Sequence, residues 1–163
     1  MPKTRPLPTP RPQRPPTLPS GSCSRECRSV KRTPSWVRSF GGNKLGAPEA
    51  GFGLAVDASG HAHVTGTFAG KLEFGNNTLF SMGQGDVFVT ELDREGRVIW
   101  ARQAGAPFSE PIGGHGLTVD RGGNTYLIGY FRGNIAFGDT VLKSLGETDI
   151  FIAKITAQFA PRR

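Results

Sequence analysis

The chain has 163 residues, 23 of them Gly and 13 Pro, and a formal net charge of +7. That length supports one ordinary domain with a real core. No stretch approaches the ~20 consecutive apolar residues of a membrane helix, and Gly and Pro among many short apolar runs favour an all-β fold.

The charge is unevenly placed. Residues 1–40 carry nine basic side chains against one acid, Glu26, and the rest of the chain carries 11 basic and 12 acidic. The remainder therefore offers no global field for a polyanion. Nine of the 13 prolines lie between Pro2 and Pro34. A segment so poor in apolar periodicity and backbone donors cannot offset its ordering entropy. Residues 1–33 are predicted to be a disordered or polyproline II tail. As a basic arm for nucleic acid or acidic surfaces it has phosphate-binding charge. No aromatic residue precedes Trp36 to stack on a base, which argues against nucleic acid. Pro12-Gln13-Arg14-Pro15 fits a PxxP ligand. A signal peptide would need an apolar run of about 7–15 residues, and none is present. Cys23 and Cys27, the only cysteines, do not make a zinc site by themselves. They read as simple thiols of the tail, with a disulfide as the alternative in an oxidising compartment.

From Trp36 onward the chain repeats itself. Gly53-Leu54-Ala55-Val56-Asp57 returns as Gly116-Leu117-Thr118-Val119-Asp120, and the same offset runs without a gap to Leu92 and Ile155. Gly60, Asp86 and Phe88 match Gly123, Asp149 and Phe151. Trp36 matches Trp100 with a one-residue slip. The period-2 apolar pattern predicts strands over 54–57, 62–68, 86–92 and 97–103, with a small hairpin inserted at 71–81. The second copy is expected to stop after its third main strand. Both faces of these strands are largely apolar, as in a propeller blade covered by neighbours. Asp57, Asp93 and Asp120, each with Gly three positions on (Gly60, Gly96 and Gly123), fit position i and i+3 of type I turns.

These repeated residues, with Phe74-Gly75, Trp100-Ala101, Gly123-Asn124-Thr125-Tyr126 and 149–154, resemble the bacterial β-propeller repeat family called SBBP. The resemblance covers about residues 36–156. It implies two tandem four-stranded antiparallel blades of an incomplete propeller, about 36–99 and 100–156, then a C-terminal tail at 157–163. It further implies a secreted or cell-surface setting and brings no catalytic residues.

Candidate chemistry is sparse. His61 and His63, two apart, replace Asn124 and Tyr126 of the second copy and could hold zinc or copper if Asp57 or His115 converged on them. The recurring Asp57, Asp86, Asp120 and Asp149 lack the spacing of a calcium loop and read as structural, as do Trp36 and Trp100. No nucleophile elbow, phosphate loop or catalytic triad order is present, and no cofactor is expected. The function expected is a non-enzymatic module for protein or glycan interaction, with possible self-association through open blade edges. The alternatives are a binder driven by the basic tail and an enzyme using a propeller face.

Overall fold

A computed structural model of the chain describes residues 33–42, 49–107 and 112–157. The chain divides between Thr33 and Pro34. The expected tail, with Cys23 and Cys27, lies outside the described residues, as do residues 158–163.

The described residues are all-β. The strands are β1 (Ala50–Val56), β2 (Ala62–Phe68), β3 (Lys71–Phe74), β4 (Asn77–Phe80), β5 (Asp86–Leu92) and β6 (Val98–Ala104) in the first copy. The second holds β7 (Gly113–Val119), β8 (Thr125–Phe131), β9 (Asn134–Phe137), β10 (Thr140–Lys143) and β11 (Asp149–Ile155). The first copy forms an antiparallel sheet in the order β1-β2-β5-β6, and the second a three-stranded sheet, β11-β8-β7. The hairpins β3–β4 and β9–β10 pair separately. Among the described residues none of the sheets closes.

The second sheet has the three main strands that the sequence of the second copy predicts, and departs from the four-stranded blade that the resemblance implies. Its outer strand would have to follow β11, and residues 156–157 there are not strand. The first strand also starts earlier than the alternation predicts. A bulge between Gly51 and Gly53 carries the pairing through a glycine-rich stretch that shows no period-2 signal.

The turns follow from their Asp and Gly residues. The Gly60 amide donates to the Asp57 carbonyl at 3.0 Å, and the Gly123 amide to Asp120 at the same distance. Both glycines have positive φ, 81° and 77°, which a residue with a Cβ adopts only at a cost. The Asp57 Oδ1 accepts the amides of Ser59 and His61, and the Asp120 Oδ1 those of Gly122 and Asn124.

Strand alternation gives each sheet two apolar faces, and the two sheets cover one of them for each other. Val87, Val89 and Ala104 of the first sheet meet Leu127, Phe131, Ile135 and Phe151 of the second copy in one buried cluster. Each of these side chains other than Ala104 contributes about 1.5–3 kcal/mol on burial. The opposite face of the first sheet carries the matching cluster of Phe68, Leu72, Phe74 and Phe88. There Phe40 lies against Phe74, with ring centroids 4.8 Å apart. The Trp36 indole donates to the Arg94 carbonyl at 2.9 Å, and the Arg38 guanidinium to the carbonyls of Glu95 and Gly96. Residues 36–40, which match the strand segment at Trp100 in the repeat, form no ladder; the adjoining Gly41 makes a single bridge to Glu73.

Gly66 is the tightest point of the β1–β2 pairing. A Cβ there would lie 1.9 Å from the Ala50 carbonyl oxygen and 2.8 Å from the Phe88 ring. Gly66→Ala is expected to lose at least about 2 kcal/mol in urea unfolding. Gly51→Ala, with nothing within 4 Å of the added carbon, is expected to change stability by less than about 1 kcal/mol. Equal losses would contradict this packing.

Candidate functional site

The cluster lies where the first sheet faces the second. His63 sits on β2, and Glu91 is its cross-strand partner on β5. Trp100 stands opposite Glu91 on β6. Asp57 follows β1 and His61 precedes β2, so the tight turn between them brings both to the same spot. His61 lies in the turn and His63 on the strand, yet both rings face Asp57 Oδ2.

The distances are short. The His61 Nδ1 lies 2.7 Å from Glu91 Oε1 and 3.8 Å from Asp57 Oδ2. The His63 Nε2 is 3.7 Å from Asp57 Oδ2, too far for a hydrogen bond. One ligand atom each from Asp57, His63 and Glu91 fit within 4.8 Å of one another. Around them, the Trp100 indole donates to Glu91 Oε2. Thr125 Oγ1, from the second sheet, lies 2.9 Å from His63 Nδ1. His63 is 1% exposed, and its Nε2 has no hydrogen-bond partner among the described residues. Burial alone would raise the Asp57 pKa, but the amides of His61 and Ser59 and the adjacent imidazoles outweigh it and hold the carboxyl below its usual range. An open cleft of about 630 Å³, lined by Asp57, His61, Glu91, Trp100 and Arg121, reaches the cluster.

His115 is not part of it. Its ring stacks on Phe52 at 5.4 Å and lies 5.1 Å from Tyr130. Glu91, which completes the cluster, escapes a reading by residue type because it looks like one polar position in an alternating strand. The repeat offset marks it: Glu91 stands where the second copy has Lys154. There Asp120 Oδ2 accepts from Asn124 and from the Tyr126 hydroxyl, and Lys154 lies over the Tyr126 ring at 5.2 Å.

The other recurring carboxylates divide by surroundings. Asp86 is fully buried, with Oδ2 accepting from Met82 and Gln103 and Oδ1 unpartnered among the described residues. Its counterpart Asp149 is half-buried and accepts the Leu145 amide at 2.9 Å. Each accepts an amide of the loop before its strand. Compared with known proteins, the sequence matches no family model and no curated relative.

Burial pushes the Asp86 carboxyl up to about 6, against the pull of the Met82 and Gly83 amides. A raised folded-state pKa means that the stability this group adds is complete below about pH 4 and is lost as pH rises through 6. The loss is roughly 3 kcal/mol. Relative to the parent chain, Asp86→Asn is therefore expected to gain about that much between pH 4 and pH 7 in urea titrations. A constant difference across that range would refute the assignment.

Proposed function

We propose that residues 34–156 are two SBBP-type β-propeller blades that serve as a non-enzymatic module for protein or glycan interaction and scaffolding. In this reading the open face of the second sheet docks on the first sheet of another copy. The observation that carries it is the joint within the chain. Val87 and Val89 are 1% and 4% exposed because the second sheet covers them; their counterparts Ile150 and Ile152 are 73% and 70% exposed. Ile128 is exposed on the same face.

The other end is complementary. Leu117 packs against the joint cluster, whereas its counterpart Leu54 is 67% exposed, with Val56 beside it. Another copy would thus present to Ile150 and Ile152 the kind of surface that Val87 and Val89 already meet. The contact is head-to-tail, so it builds rings if the rotation closes and filaments if it does not. Among the described residues the outer β11 edge is unpaired as well, and it adds a row of free backbone groups to the same end.

Sedimentation velocity over a wide concentration range tests the reading. Self-association is expected for the parent chain and its loss for the Ile150→Asp/Ile152→Asp variant, with an unchanged circular dichroism spectrum because both residues lie outside the core. A parent chain that stays monomeric at every concentration would overturn it.

A further inference from the structure

We infer that Asp57, His63 and Glu91 form a binding site for a divalent transition-metal ion of the zinc class, at the joint between the two sheets. The donor set is one imidazole nitrogen and two carboxylate oxygens, a combination that zinc accepts. A tetrahedral zinc centre places its ligand atoms about 3.4 Å apart. Asp57 Oδ2 and His63 Nε2 are already at 3.7 Å, and all three donors fall within 4.8 Å. Small side-chain rotations close the remainder.

Proximity of acidic groups alone would not make a site. The buried His63 Nε2 is the independent sign. It has no partner among the described residues, although a buried polar atom normally has one, and the Asp57 oxygen faces it across the gap. Each ligand is also held from behind by its other polar atom. Asp57 Oδ1 takes the Ser59 and His61 amides, His63 Nδ1 meets Thr125, and Glu91 Oε2 takes the Trp100 indole. With Nδ1 protonated and donating to Thr125, the Nε2 lone pair faces the gap. This outer ring of partners is the arrangement that orients metal ligands. His61, bonded to Glu91 Oε1, is a positioning residue. The cleft borders two of the three ligands, Asp57 and Glu91.

The second repeat provides the comparison. At the same backbone positions it has Asp120, Asn124, Tyr126 and Lys154, in which the single carboxylate is satisfied by neutral donors with a lysine nearby. The fold therefore needs neither the histidines nor the second carboxylate. The first repeat carries two carboxylates and an unpartnered imidazole nitrogen in their place, which a divalent cation would neutralise and complete.

The test is titration of the full chain with Zn²⁺ by calorimetry and thermal melting. It uses a Cys23→Ser/Cys27→Ser background so that the thiols cannot contribute. One zinc per chain is expected, with a melting temperature that rises with zinc and falls back on adding EDTA. Glu91→Gln or His63→Gln should weaken binding by more than about 100-fold, and Thr125→Val or His61→Asn by about 10- to 100-fold. The combined His61→Asn/His63→Tyr/Glu91→Lys variant carries the second repeat's own side chains. It should show no zinc-dependent rise in melting temperature, wherever it melts without metal, since the second sheet covers these positions in the first repeat and not in the second. No stoichiometric binding in the cysteine-free chain, or undiminished binding after Glu91→Gln, would overturn the proposal.

Discussion

Everything in the described region depends on one constraint: each sheet is apolar on both faces, so each face is stabilised by being covered. A two-layer sandwich hides only one face of each sheet. The first sheet needs cover on two sides and has it, from the second sheet on one and from Phe40 with the β3–β4 hairpin on the other. The two covers are related. Trp36, Arg38 and Phe40 are the repeat counterparts of Trp100, Arg102 and Ala104. The Gly41–Glu73 bridge has its counterpart in the Gly105–Ala136 bridge. Residues 36–41 thus hold the place on the first sheet that β6 holds on the second copy. One packing step is repeated, and the chain carries it through fully once and partly a second time.

That step is largely legible in the sequence, because a gapless repeat forces equivalent residues into equivalent places. Strand alternation locates β2, β5, β8 and β11, and the Asp and Gly pairs locate the tight turns. Less is readable where glycine erases periodicity. Ala50-Gly51-Phe52-Gly53 is strand because β2 pairs with it around a bulge, and nothing local announces that. Residues 36–40 look like a strand and form no ladder, since a strand exists only beside a partner. The matching segment is laddered in β6, whereas here only the Gly41 bridge adjoins it.

The candidate site is half-readable for a related reason. His61 and His63 are rare residue types and draw notice; Glu91 is an ordinary surface type. Its meaning depends on register, because pairing with His63 across β2 and β5 turns it towards the second sheet. Asp57 has two roles that sequence cannot separate. Its Oδ1 closes the turn, as Asp120 does, while its Oδ2 faces the histidines.

The location of that cluster matters more than its composition. A buried imidazole nitrogen without a partner costs free energy, and the second repeat has a hydrogen-bonded carboxylate and no histidine at the same backbone positions. The version with the unpartnered nitrogen stands in the repeat whose face is covered by another sheet, and Thr125 of that sheet meets the histidine. Orientation of His63 therefore depends on the packing of Val87 and Val89 against Leu127 and Phe131 a few residues along the same strands. In the second repeat the equivalent face, with Tyr126 and Lys154 beside Ile128 and Ile152, has no sheet over it among the described residues. A histidine there would have no threonine behind it, and a lysine on the open face can keep its charge in water. The same joint that hides the valines is what makes a partner-dependent histidine sustainable, so the core and the site are two consequences of one contact.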